Sequence, residues 1–284
     1  MLDVGFGSGY LCTAAAALLA PTVAAALYAA MPGAAAARDV LARQLGPVNN
    51  TGPSGYPNAF QTYPLGDYLG SSLSDVESTL LALLGGGNAA LEAAERAKRV
   101  PAELAARLKA EMAARVFGVE HVAAIARGGL RNCSERDPIA AVFMRLGMIQ
   151  LVCGDGRKGM FKEGGEEKKK EKKKKSVTFI MNHQQTNSIG LPEHAPFSAI
   201  HIGAATQPAV AAFVRQQLEI GGSLVAPIDY GSGQANSQSS EAPRGQWLTK
   251  ITRSGESTWS EENVLSVRYI PLTNLDSQLN APFF

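Results

Sequence analysis

Five residues near the start of the chain, Asp3, Gly5, Gly7, Ser8 and Gly9, have the types and spacing of a ligand-holding turn. They follow a short apolar strand around Leu2 and Val4 and precede an apolar helix that begins at Tyr10. Glycines let the backbone turn sharply and let a ligand approach where a Cβ would clash. Amides at the N-terminus of the new helix point at whatever sits there. The spacing excludes two neighbouring chemistries. A dinucleotide fingerprint, G-x-G-x-x-G, needs glycine where Tyr10 stands, and a serine-hydrolase elbow needs G-x-S-x-G, which Ser8 between immediate glycines does not supply.

Two further acids end apolar runs. Val116-Phe117-Gly118-Val119 leads into Glu120, and a carboxylate at a strand end accepts hydrogen bonds from both hydroxyls of a ribose. A solvated glutamate is the plain alternative. Such an acid normally lies about twenty residues past the glycine turn, so this reading requires Pro21 to Ala114 to be an insertion. Asp155 lies in Gly154-Asp155-Gly156-Arg157, after a strand at Met148 to Cys153. There it is placed to accept from an adenine amino group, although turn chemistry explains the glycines equally well.

The elements that must position these groups fit an α/β chain. Its 284 residues allow one large domain or two small ones, and an apolar fraction of 45% suits a globular protein. A net charge of +2 gives no push toward nucleic acid. Cys12, Cys133 and Cys153 are odd in number and lie in apolar segments, which reads as reduced core residues in a cytoplasmic protein. No C-x-x-C or H-x-x-x-H spacing supports a metal site. Leu11 to Ala30 is almost wholly apolar but lacks a basic flank and carries Pro21. It reads as a buried first helix ending near Ala20, not as a membrane span or signal peptide.

From Pro21 to Ala114 the α/β pattern is interrupted. Helices are expected over Val23 to Ala30, Ala34 to Gln44, Ser74 to Leu84 and Asn88 to Ala114, the last broken at Pro101, with a loop from Gly46 to Gly70. Alanine-heavy helices bury little area, so this block is expected to be a surface appendage. A second interruption, at about 161–194, contains the lysine and glutamate run Glu166 to Lys175, read as a solvated loop. An edge strand is expected at Ser176 to Asn182. His183 and His194 are given no role. A fourth strand runs through Phe197 to Ile202, and Pro208 opens a helix to Leu218. Gly221-Gly222 ends that helix, Ser223 to Ile228 is a fifth strand, and Gln246 to Arg253 with Val264 to Ile270 form an antiparallel pair.

Taken in order, Leu2-Asp3-Val4-Gly5-x-Gly7-Ser8-Gly9-Tyr10-Leu11, Gly118-Val119-Glu120-His121-Val122 and Gln150-Leu151-Val152-x-Gly154-Asp155-Gly156-Arg157 make a set. Ala199-Ile200-His201-Ile202-Gly203-Ala204-Ala205, Gly221-Gly222-x-Leu224-Val225-x-Pro227 and Tyr269-Ile270-Pro271-Leu272-Thr273 complete it. The first segment resembles the opening motif of S-adenosylmethionine-dependent methyltransferases. The whole set resembles the protein-L-isoaspartate O-methyltransferases, over Met1 to Ala20, Arg115 to Met160 and Ala195 to Gln278.

The resemblance implies a single Rossmann-like methyltransferase domain over 1–284, its sheet mostly parallel with an antiparallel C-terminal pair, interrupted at about 21–114 and 161–194. It implies methyl transfer from S-adenosyl-L-methionine to the α-carboxylate of isoaspartyl residues in damaged proteins. The ester then cyclises to a succinimide whose hydrolysis returns some aspartate. No catalytic base is assigned, because a carboxylate is already a nucleophile at neutral pH. By resemblance, Asp3, Gly5, Gly7, Ser8 and Gly9 hold the methionine part of the cofactor, Glu120 the ribose, and Asp155 with Gly156 the adenine. Thr273 and Gln278 match family positions near the cofactor. The expected partners are isoaspartyl proteins and peptides, with no nucleic acid and no membrane, and the expected state is a monomer.

Departures from the family pattern are also legible. The family carries a serine-rich segment before the first glycine motif, whereas this sequence opens inside the first strand. Glu120 replaces the more usual aspartate, and Ser198 stands where an acid is common. The reading favoured is a fragment of a longer chain; the inserted helices standing in for the missing lid is the other. The rival functions are a methyltransferase for another substrate and a non-catalytic cofactor-binding or scaffolding protein.

Overall fold

A computed structural model of the chain describes residues 1–32, 65–85, 91–154, 191–231 and 244–272. Expectations for Ala34 to Gln44, Glu166 to Lys175 and Ser176 to Asn182 lie outside those residues. The chain is mixed α/β and divides into two compact units. One, built on a sheet, comprises Met1–Cys12, Val116–Arg136 and Gln150–Phe284; the other, helical, comprises Thr13–Arg115 and Asp137–Ile149.

The sheet has seven strands: β1 (Leu2–Val4), β2 (Val116–Glu120), β3 (Ile149–Cys153), β4 (Phe197–Ile202), β5 (Leu218–Asp229), β6 (Gln246–Gly255) and β7 (Thr258–Ser266). Their order is β3-β2-β1-β4-β5-β6-β7. β1 pairs in parallel with both β2 and β4, and β4 in parallel with β5; β6 and β7 are antiparallel to their neighbours. Alternation decides which side chains share a face. Leu2, Val4, Phe117, Val119, Ile200 and Ile202 belong to one apolar core with Leu224, Ala226 and Ile228. The residues between them, Asp3, Gly118 and His201, are register partners on the other face.

Two strands differ from their expected positions. β5 begins at Leu218, where a helix was expected to end, and the helix itself stops at Val214. Pairing with β4 jumps from Phe197↔Leu218 to Ala199↔Ser223, so a bulge holds the extra residues. Gly222 is required there, because a Cβ on it would stand 2.9 Å from the Phe197 carbonyl oxygen. Read along the sequence, the two glycines look like a helix stop; in space they are the bulge. β7 starts at Thr258 and ends at Ser266, not Val264 to Ile270. As an edge strand exposed along most of its length, it carries no apolar alternation to read.

The helical unit holds most of α1 (Tyr10–Leu19), then α2 (Pro21–Ala29), α3 (Leu65–Leu69), α4 (Leu73–Leu83), α5 (Leu91–Arg99), α6 (Ala102–Met112) and α8 (Pro138–Arg145). The sheet unit holds α7 (Ala123–Arg131) and α9 (Pro208–Val214). α1 ends before Pro21 as expected, and α2 turns away from it by 110°. No single described helix is long and apolar enough to cross a membrane; α1 and α2 qualify only as that bent pair. α3 lies in the expected loop, with Leu65 and Leu69 buried one turn apart. The surface-appendage expectation is also overturned. Val23, Leu27, Leu69, Leu80, Leu108 and Phe143 are fully buried, giving this unit a core of its own. The alanines thin the helices without removing the leucines spaced to fill that core.

Caps fix where these helices start. The Ser72 hydroxyl accepts from the Asp75 amide at α4, and the Asp137 carboxylate accepts from Ile139 and Ala140 amides at α8, where Pro138 takes the first position. α2 has no side-chain cap of its own residue; the Glu111 carboxylate from α6 accepts instead from the Thr22 and Val23 amides at 2.8 and 3.0 Å.

Candidate functional site

In an open α/β sheet, ligands bind outside the carboxyl ends of the strands, where the strand order reverses. Here that point is β1, with β2 and β3 on one side and β4 and β5 on the other. Backbone hydrogen bonds knit the strand tips together. The Gly5 amide donates to the Val119 carbonyl at 2.7 Å, the Gly203 amide to Val4 at 2.8 Å, and the Gly154 amide to Glu120 at 3.0 Å. The loops leaving β1, β2, β3 and β4 therefore start side by side.

The turn after β1 uses its glycines for two different reasons. Gly5, Gly7 and Gly9 have φ of 83, 53 and 82°, a region costly for other residues. Among the described residues, chain neighbours apart, nothing stands closer than 4.0 Å to a Cβ placed on Gly5 or Gly7. A Cβ on Gly9 would meet the Cys133 Sγ at 2.3 Å, and one on Gly129 of α7 would meet the Gly7 carbonyl oxygen at 2.4 Å. The far end of the turn is thus packed tightly against α7 and the π-turn Asn132–Arg136 that follows it. The exposed Ser8 hydroxyl accepts from the Tyr10 amide at 3.4 Å, capping the start of α1.

Beneath the turn, Asp3 is 1% exposed. The His201 Nδ1 lies 2.8 Å from its Oδ1, and the Cys12 Sγ donates to its Oδ2 at 3.4 Å. Burial pushes the Cys12 thiol well above its ordinary range, and the Asp3 charge beside it adds to that. Glu120 is 6% exposed at the tip of β2. Its Oε1 accepts from the Val122 amide at 3.1 Å and lies 3.4 Å from the His121 Nδ1. Among the described residues, no hydrogen bond reaches its Oε2.

The tail reaches the tip of β4. The Ala205 amide donates to the Ile270 carbonyl at 2.9 Å, and the Leu272 amide donates back to Ala205 at 2.6 Å. Of the ten residues singled out in the sequence, Asp3, Gly5, Gly7, Ser8, Gly9 and Glu120 gather at adjacent strand tips. Asp155, Gly156, Thr273 and Gln278 lie outside the described residues. Sequence reasoning passed over His201, which appeared only as a letter in an apolar strand. Its one signal is the alternation Ile200-His201-Ile202, which sets the imidazole on the face opposite the core.

A family model described as Protein-L-isoaspartate(D-aspartate) O-methyltransferase matches residues 162–277. That range takes in β4 to β7 and leaves the glycine turn outside. A protein-L-isoaspartate O-methyltransferase of Triticum aestivum is 35% identical over 97 residues, covering 34% of this chain and 36% of the relative. One from Burkholderia vietnamiensis is 38% identical over 96 residues, covering 34% and 28%. The matches thus span about a third of the curated relatives' length. Among solved structures, a Plasmodium falciparum chain described as a protein-L-isoaspartate O-methyltransferase in complex with S-adenosyl-L-homocysteine covers 70% of this chain and 72% of its own. Its identity is 15% and its TM-score 0.34.

Proposed function

We propose that this chain transfers a methyl group from S-adenosyl-L-methionine to the α-carboxylate of isoaspartyl residues in damaged proteins and peptides. The observation that carries the reading is the gathering of the glycine turn, Glu120 and the β4 tip at the point where the strand order reverses. The family match over residues 162–277 supports the choice of substrate class.

The residues present fit the cofactor. No described residue beyond the chain neighbours stands closer than 4.0 Å to a Cβ on Gly5 or Gly7, which suits a ligand's approach to the backbone. The first amides of α1 suit the carboxylate of its methionine end. The Glu120 Oε1 is fixed by the Val122 amide, which leaves Oε2 to take the sugar hydroxyls. In this reading Asp155 with Gly156 takes the adenine, and Thr273 with Gln278 lies near the cofactor. Bound there, the cofactor's sulfonium supplies a methyl group activated toward an oxygen nucleophile. The chain's own part is alignment. The isoaspartyl carboxylate needs no base, so the strand tips have to hold two reactants in line and keep water out, which can contribute several kcal/mol.

The test offers labelled S-adenosyl-L-methionine with an isoaspartyl peptide and its aspartyl twin. Label is expected in the first peptide only; equal labelling of both would sink the proposal. Affinity for S-adenosylhomocysteine without turnover would instead identify a cofactor-binding scaffold.

A further inference from the structure

An amino acid carries an anion and a cation on one carbon. The turn after β1 offers donors, which hold only the carboxylate half of such a ligand. The nearest described charge beneath the turn is Asp3, but it is buried and its two oxygens already face His201 and Cys12. Whatever Asp3 does for a ligand, it does through one of those two groups. Cys12 is fully buried. The His201 side chain is 30% exposed.

The arrangement fixes the ring's chemistry. A carboxylate only accepts, so the His201 Nδ1 at 2.8 Å is the donor, and in the tautomer whose single proton sits there Nε2 offers a lone pair. Among the described residues Nε2 has no hydrogen-bond partner. The ring also leans toward the tip of β4, its Cε1 standing 3.5 Å from where a Cβ on Gly203 would be. Gly203 in turn lies against the turn, 3.2 Å from the Gly5 carbonyl oxygen by the same measure. Asp3 and His201 are direct register partners on adjacent parallel strands, so the sheet itself holds the pair in place.

We infer that His201 is the acceptor for the α-ammonium of the cofactor's methionine end, with Asp3 orienting the ring and supplying the negative charge behind it. The inference rests on the cofactor reading above and deepens it. It assigns Asp3 an indirect part: the carboxylate acts on the ligand through the imidazole. Turn amides and the Asp3–His201 pair then divide one amino-acid group between them, anion to donors and cation to acceptor.

The test uses the full chain and four nucleosides: S-adenosylhomocysteine, its decarboxylated analogue that keeps the amine, its deaminated analogue that keeps the carboxylate, and 5′-methylthioadenosine. His201→Asn keeps a donor for Asp3 but has nothing at the Nε2 position. It is expected to bind S-adenosylhomocysteine and the decarboxylated analogue roughly tenfold or more weakly. The deaminated analogue and methylthioadenosine should bind as to the unaltered chain. His201→Gln, whose amide oxygen can reach the Nε2 position, should recover part of the loss. Equal weakening for all four ligands marks a merely structural residue and overturns the inference, as does no weakening for any. Loss for S-adenosylhomocysteine and the deaminated analogue, with the decarboxylated analogue unaffected, would make His201 a carboxylate donor and also overturn it. If the unaltered chain binds methylthioadenosine and S-adenosylhomocysteine, the cofactor reading stands whatever His201 does; if it binds neither, both fall together.

Discussion

In the helical unit, buried threonines and part-exposed charged side chains are spent on helix ends and helix contacts. Glu111 accepts from the Thr22 hydroxyl and from two amides at the start of α2, with Arg107 alongside. Thr79 donates to the Asp75 carbonyl and accepts from Arg96, while Arg145 grips Glu77 through Nε and one Nη of its guanidinium. In the sheet unit, the buried acids are Glu120 at the carboxyl end of β2 and Asp3 within β1, just before a turn of positive φ. Neither caps a helix of regular length, and each keeps company with a histidine. One unit pairs part-exposed charges to close itself. The other buries two acids beside the glycine turn, where neither makes an ion pair with a lysine or arginine among the described residues.

That contrast can be broken by substitution, beginning with the helical core. Leu80→Ala removes a fully buried side chain from α4 and should cost about 2–5 kcal/mol in denaturant unfolding. A loss below about 1 kcal/mol would mean the helices have no real core. Next is the pair Gly9→Ala and Gly5→Ala. At Gly9 the new methyl group meets Cys133 as well as an unfavourable φ, for about 2–4 kcal/mol. At Gly5 only the φ penalty applies, about 1–2 kcal/mol. Equal losses would show that the tight packing behind Gly9 is not what requires a glycine there.

Smaller effects sharpen the distinction. Glu111→Ala leaves two amides of α2 without their acceptor and should cost about 1–2 kcal/mol of stability. Glu120→Gln should instead weaken S-adenosylhomocysteine binding by about 1–3 kcal/mol with little change in the unfolding midpoint. The reverse outcome, a stable-binding but unfolding-prone Glu120 variant, would move that acid into the structural class. Smallest of all is the response of Cys12 to alkylation. Its raised pKa keeps the thiol protonated up to higher pH than a free cysteine. It should therefore stay unlabelled by iodoacetamide at pH about 8, near where free thiols begin to ionise, until the chain unfolds. Rapid labelling of the folded chain would contradict its burial.

Much of the sheet was legible. β1, β2, β3 and β4 are apolar runs bounded by turn residues; the glycine turn follows β1 and Glu120 ends β2, as those runs predict. What escaped was information that distance along the chain does not carry. Gly221 and Gly222 have the same letters whether they stop a helix or form a bulge, and only the close approach of β4 decides. β7 is an edge, so burial never imposed a pattern on it. Asp3 and His201 meet through strand register, 198 residues apart, and neither residue announces the other. Alanine content masks the helical core, whose signal in the sequence is the placement of Leu27, Leu80 and Leu108.

The position of β1 has a consequence for how the protein is made. Its partner β4 follows 198 residues later, and β2 only after the helical block. At typical rates of translation, roughly 5–20 residues per second, Leu2 and Val4 leave the ribosome on the order of ten to forty seconds before β4 arrives to cover them. Of the strands in this sheet, β1 therefore waits longest between its own synthesis and the arrival of its second neighbour.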